Sequence, residues 1–151
     1  MNDRPRILLI DDEKDILTLL GSFLEGEGFE VETAENGELA LKKINSESFS
    51  AVVCDLKMPV MDGITLLKKI REAKNFLPFV FLSGHANLDD EHEVINYGSY
   101  ELIHKPHIDK IPMTLRALLK ADQEVKRLEK SGVHAIDFLE ILHESNIKKT
   151  S

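Results

Sequence analysis

Short apolar runs alternate with stretches of helical spacing along this chain. Arg6, Ile7, Leu8, Leu9 and Ile10 form the first run, which ends in Asp11, Asp12 and Glu13. A continuous aliphatic run of that length, bounded by polar residues, reads as a strand buried on both faces. From 14 to 26 the apolar positions are Ile16, Leu17, Leu20, Phe23 and Leu24, gaps of three and four that make one face of a helix, and Gly26 and Gly28 stop it. Residues 29–34 alternate apolar and polar, as an edge or half-exposed strand does. After Asn36-Gly37, the residues Leu39, Ala40, Leu41 and Ile44 predict a second helix, and 49–54 a third strand. Ile64, Leu67, Ile70 and Ala73 carry the stripe of a third helix; Phe76 and Pro78 mark the return. Phe79, Val80, Phe81 and Leu82 predict a fourth buried strand ending in Ser83, Gly84 and His85. A weak, acidic helix is expected over 88–97, closed by Gly98, then a fifth strand over 100–104 ending in Lys105-Pro106. A long helix follows from about Ile108 or Pro112, with Leu115, Leu118, Leu119 and Val125 inward. Five strands alternating with five helices predict an α/β protein with a parallel sheet and helices on both faces.

Composition narrows the class. A chain of 151 residues is about one domain and buries enough surface to fold without a disulfide or metal staple. The formal charge of −8 argues against broad contact with a phosphate backbone, so no direct DNA binding is expected. Cys54 is the sole cysteine, which rules out an intramolecular disulfide and suits a reducing compartment. It lies inside an apolar run and reads as a small core residue. The N-terminus is too polar for a signal peptide, and no apolar run nears the roughly 18 residues of a membrane span. A cytoplasmic protein is expected.

The chemistry gathers where strands end. In open parallel sheets the carboxyl ends of the strands face the ligand crevice. Strand one brings Asp11 and Asp12 there, strand three Asp55, strand four Ser83 and strand five Lys105. Taken alone, Asp55 reads equally as a turn or cap residue. Three carboxylates packed together repel and raise one another's pKa, and a hard divalent cation among them relieves this. Magnesium suits oxygen ligands and keeps waters that phosphate oxygens replace. Such a cation would keep Asp55 ionised and nucleophilic, while Lys105 and Ser83 offer donors to phosphoryl oxygens. These parts suit phosphoryl transfer onto a carboxylate.

The string Asp55, Leu56, Lys57, Met58, Pro59, Val60, Met61, Asp62, Gly63 is a specific signal. With Asp11-Asp12, Ser83-Gly84 and Lys105-Pro106 at the other strand ends, the chain closely resembles the receiver domain of two-component response regulators over about residues 5–125. The resemblance implies a flavodoxin-like, doubly wound five-stranded sheet in the order 2-1-3-4-5. It implies that Asp55 accepts a phosphoryl group from a histidine kinase, a phosphotransfer protein or a small phosphodonor. Magnesium would be held by Asp12, Asp55 and the main-chain carbonyl of Lys57, with Asp11 assisting through water. Ser83 and Lys105 would grip the phosphoryl oxygens, and a cis bond before Pro106 would aim the lysine. Two positions depart from the pattern: Leu102 stands where the family usually has Tyr or Phe, and Ser83 where Thr is commoner. Tyr100 is a candidate substitute for the missing aromatic, against a plain core or rim role. Lys57 and His85 flank the site, where the family tunes the lifetime of the acyl phosphate. His104 and His107 bracket Lys105-Pro106 and read mainly as surface residues, as do His92, His134 and His143.

Residues 126–151 read as a helical extension without a recognisable output domain. Ile111, Leu118, Ala121, Val125 and Leu128 fall near heptad spacing; Ser131-Gly132 break the helix, and Val133, Ile136, Phe138, Leu139, Ile141 and Leu142 form a second amphipathic stretch. Three fates compete: folding back on the receiver, a homodimer contact through the extended helix, or a linker to a further domain. The downstream target is a protein the sequence does not name. Two other functions stay open. One is a magnesium-dependent phosphohydrolase working through an aspartyl-phosphate, which commonly has an acid where Lys57 stands. The other is a pseudo-receiver that binds partners without phosphorylation, to which Leu102 lends slight support.

Overall fold

The computed structural model describes residues 3–84 and 101–132. The expected helix over 88–97, with Tyr100, His85 and His92, lies outside them, as do the second amphipathic stretch, His134 and His143. In chain order the described elements are β1 (Arg6–Ile10), α1 (Lys14–Gly26), β2 (Glu30–Ala34), α2 (Gly37–Ser46), β3 (Ala51–Asp55), α3 (Gly63–Glu72), β4 (Phe79–Ser83) and β5 (Glu101–His104). A 3-10 segment, Lys105–Lys110, then leads into α4 (Ile111–Lys130).

The five strands form one parallel sheet in the order β2-β1-β3-β4-β5, the flavodoxin-like arrangement expected. The aliphatic runs sit at its centre because both faces are covered and alternate side chains point to opposite faces. Leu8, Ile10, Val52, Cys54, Phe79 and Phe81 pack with Ala40 and Ile44 of α2 and Ile64, Leu67 and Ile70 of α3. Their neighbours Ile7, Leu9, Val53, Val80, Leu82 and Ile103 pack with Leu17, Leu20 and Leu24 of α1 and Ile111, Leu115 and Leu118 of α4. Each fully buried Leu, Ile or Phe contributes about 1.5–3 kcal/mol, so this double layer supplies most of the driving force.

The sequence-based boundaries hold with local differences. Helix α1 has the expected limits. Strand β2 begins one residue late because the Phe29 N–H bonds the Leu24 carbonyl (3.1 Å) in the turn that ends α1, with Gly28 at φ 101°. The Phe29 side chain is still buried. Strand β3 reaches Asp55, which pairs with Leu82, so the acid belongs to the ladder. In α2 the inward residues are Ala40 and Ile44, while Leu39 faces solvent. In α3 Leu66 joins the core, a position the stripe did not single out.

One expectation fails. The bond before Pro106 is trans, and no peptide bond among the described residues is cis. Pro106 opens the 3-10 segment, where its fixed φ suits the first turn and its missing N–H leaves nothing unpaired. Lys105, the first residue after β5, reaches Asp55 with that bond trans.

Candidate functional site

The strands' carboxyl ends bring together the side chains of Asp11, Asp12, Asp55 and Lys105, and Ser83 ends its strand at the same edge. Asp11 follows β1 directly. Its N–H bonds the Ala34 carbonyl of β2 (3.2 Å), and its Oδ1 accepts from the Glu13 N–H (2.9 Å), a turn that launches α1. Asp11 is buried, and its Oδ2 is the buried side-chain oxygen without a hydrogen bond among the described residues. Asp12 is exposed at the rim. Asp55 ends β3 and is buried; its carboxylate accepts from the Lys57 N–H and lies 3.2 Å from Lys105 Nζ. Lys105 Nζ is also 3.7 Å from Asp11 Oδ2. Carboxylate oxygens of Asp11, Asp12 and Asp55 lie within 4.8 Å of one another. Ser83, buried, ends β4 one residue beyond Leu82, the register partner of Asp55. The Lys57 side chain points to solvent.

Leu102 is half-buried against the Phe79 and Phe81 side of the core and pairs in register with Phe81. His104 and His107 are exposed. A recess lined by Pro5, Glu27, Phe29, Arg116 and Leu119 lies at the start of β1 and β2 and contains none of Asp11, Asp12 and Asp55.

The loop from β3 to α3 is tightly drawn. The Gly63 N–H bonds the Leu56 carbonyl (3.1 Å), and Asp62 caps α3 through the Thr65 N–H (2.8 Å). The Met61 N–H bonds the Pro59 carbonyl (2.9 Å) around Val60, whose φ is 71°. This is the rare, strained γ-turn class with positive central φ, held here by an exposed β-branched residue at a cost of about 1–2 kcal/mol. The Met61 carbonyl in turn accepts from the Gly37 N–H at the start of α2 (3.3 Å). In the sequence Asn36-Gly37 reads as punctuation and Asp62-Gly63 as the end of the signature string, and neither shows what its glycine touches. Both glycines make close backbone approaches: a Cβ on Gly37 would stand 2.6 Å from the Met61 carbonyl oxygen, and one on Gly63 2.6 Å from that of Asp55.

Burial, then the neighbouring Asp55 and Asp12, push the Asp11 carboxyl up to about 6 against the Glu13 N–H and Lys105. Burial also raises Asp55, and Lys105 only partly offsets it. Burial lowers Lys105, but Asp55 and Asp11 outweigh this and raise it overall. The native state thus holds the Asp11 proton more tightly than the unfolded chain, where the carboxyl titrates near 3.8. Between those values stability falls as pH rises, by roughly 2–3 kcal/mol in all for this group. Urea unfolding of chelator-treated protein is expected to show this fall between about pH 4 and 6, and Asp11→Asn to remove it. A slope unchanged in the variant would assign the titration elsewhere.

The acids fit a hard divalent cation. The donors are all oxygen, and a buried carboxylate oxygen lacks a hydrogen bond beside two further carboxylates.

Comparison with known proteins gives the family. The family model for the response regulator receiver domain matches residues 7–118. A putative NtrX-like response regulator of Rickettsia bellii is 32% identical over 148 residues, 93% of this chain and 30% of its own. The chain spans about half or less of the length of the curated relatives it matches. Among solved structures, the receiver domain of a Francisella response regulator is 31% identical with a TM-score of 0.75, covering 79% of this chain and 99% of that one. The response regulator TrrA of Thermotoga maritima, solved in complex with magnesium and BeF, is 32% identical with a TM-score of 0.69 over 76% of this chain and 98% of its own. The chain belongs to the response regulator receiver domain family.

Proposed function

We propose that this chain accepts a phosphoryl group on Asp55, with magnesium, from a histidine kinase, a phosphotransfer protein or a small phosphodonor. Modification then switches a protein-binding surface. The observation that carries this reading is the convergence of Asp11, Asp12 and Asp55, with Lys105 3.2 Å from Asp55. A magnesium ion held by Asp12, Asp55 and the Lys57 carbonyl, with Asp11 through water, would draw charge from the phosphoryl oxygens. An Asp55 carboxylate oxygen forms the new bond to phosphorus as the bond to the donor's nitrogen or oxygen breaks, and the donor leaves with the electron pair. Lys105, released from Asp55, follows the charge onto a phosphoryl oxygen, and the Ser83 hydroxyl donates to another. That TrrA was solved in complex with magnesium and BeF supports magnesium as the cation for this chain.

The unit responsible is residues 5–125, with 126–151 as an extension from which a homodimer contact can be built. The chemistry is self-catalysed transfer and loss of phosphate, as in a regulator rather than an enzyme turning over an external substrate. Among the described residues no helix is long and apolar enough to cross a membrane. This agrees with work in the cytoplasm, and the acidic charge agrees with output through a protein rather than through DNA. The test is intact mass after incubation with an acyl phosphate and magnesium. One added phosphoryl group per chain is expected; unmodified protein overturns the proposal.

A further inference from the structure

We infer that the apolar seam on the outer half of α4 is a docking face for the chain's own residues 133–142, which double back onto it from Ser131-Gly132. The seam is closed within one chain. A homodimer contact would be the competing use of the same residues.

Three observations carry it. First, α4 outruns the sheet it covers. Its 20 residues span about 30 Å, against about 17 Å for a strand of five. Ile111, Leu115 and Leu118 are buried on the sheet, and Leu119 is the last residue of the helix packed with that layer. The stripe still runs on through Ala121, Val125 and Leu128, and the last two pack with neither core layer among the described residues. Because the core has taken Ile111 and Leu118, only these three seam positions remain. A coiled coil with a second copy needs about three or four heptads. Second, the helix ends in a turn that sends the chain back. The Ser131 N–H bonds the Leu128 carbonyl and the Gly132 N–H that of Glu129, both at 3.1 Å, and Gly132 has φ 95°. A left-handed residue just past a helix turns the chain off the axis, and a short loop between helical stretches makes them antiparallel. Third, the apolar positions are mirrored about Gly132. Leu128 and Ile136 stand four residues to either side of it, Val125 and Leu139 seven, and Ala121 and Leu142 eleven and ten. Two stretches of helical spacing related in this way meet residue by residue when the chain doubles back. Charge follows the same mirror. Arg127 is level with Asp137 and Lys120 with Glu144. Glu124, level with Glu140, is already paired with Arg127.

Paired cysteines in the full chain test the register, because the native Cys54 is fully buried and takes no part. Val125→Cys combined with Leu139→Cys is expected to oxidise to a disulfide inside one chain, running at monomer mass on non-reducing electrophoresis. Gln123→Cys combined with Leu139→Cys puts one thiol on an exposed position of α4 and is expected to close at least about 10-fold more slowly. Both substitution sites on α4 lie beyond the buried part of the helix, so the receiver fold should persist, and circular dichroism checks this. Light scattering of the wild type is expected to give a monomer mass at every concentration. A disulfide that joins two chains, or a dimer mass for the wild type, overturns the inference in favour of a second copy. A Val125–Leu139 pair that stays reduced overturns it as well. So does equal closure of the two cysteine pairs, since a tail that visits every side of α4 is docked on none.

Discussion

Asp55→Asn is expected to abolish phosphoryl acceptance while leaving the metal-free fold at least as stable at neutral pH. An amide oxygen is a poor nucleophile, and neither neighbouring acid is a replacement. Asp11 is buried with Oδ1 held by the Glu13 N–H, and exposed Asp12 has, among the described residues, no lysine contact like that of Asp55 with Lys105. The stability half follows from sign. Burial raises the Asp55 pKa despite Lys105, so its surroundings disfavour the ionised form on balance. A neutral amide of the same shape relieves that cost. Intact mass with an acyl phosphate and magnesium, paired with thermal melts in chelator, checks both halves. Modification of the variant at the wild-type rate would place the acceptor elsewhere, and a large drop in melting temperature would mean that the Lys105 ion pair outweighs desolvation.

Gly63→Ala is expected to cost about 3 kcal/mol, a fall of about 5–10 °C in melting temperature. The new methyl would stand 2.6 Å from the Asp55 carbonyl oxygen, 2.6 Å from Phe81 Cε1 and 3.1 Å from Cys54 Sγ. None of these neighbours yields cheaply. Two belong to β3 at the centre of the sheet, and the third is a fully buried ring packed against Phe79. The displaced group is the backbone of the acceptor itself, so the phosphorylation rate should fall along with stability. Gly26→Ala is the control: it ends α1 with open space around its Cα and should be neutral or slightly stabilising. Equal melting temperatures for Gly63→Ala and the wild type would show that α3 can move off β3 without penalty.

Much of this fold was legible because a parallel sheet covered on both faces writes unbroken aliphatic runs. Ile7 to Ile10 and Phe79 to Leu82 could hardly be anything else once helical spacing followed each. The site was legible because parallel strands send their carboxyl ends to one edge, so Asp11, Asp55, Ser83 and Lys105 had to share it. Backbone detail was not. Whether the bond before Pro106 is cis or trans depends on less than 1 kcal/mol of intrinsic preference, too small a difference for the sequence to display. Close approaches at Gly37 and Gly63 depend on helices meeting loops far away in sequence, and a glycine in a turn gives no sign of them. The turn at Val60 contradicts local propensity outright, and such conflicts concentrate where function outranks stability.

Cys54 carries a last consequence. The sole thiol of the chain belongs to the acceptor strand itself and is wholly enclosed, with Sγ against the Asp55 carbonyl, and burial followed by the nearby acids suppresses its thiolate. Alkylating reagents therefore reach it only when the middle of the sheet opens. Its labelling rate is an intrinsic gauge of how often the acceptor strand comes loose, readable without any added probe.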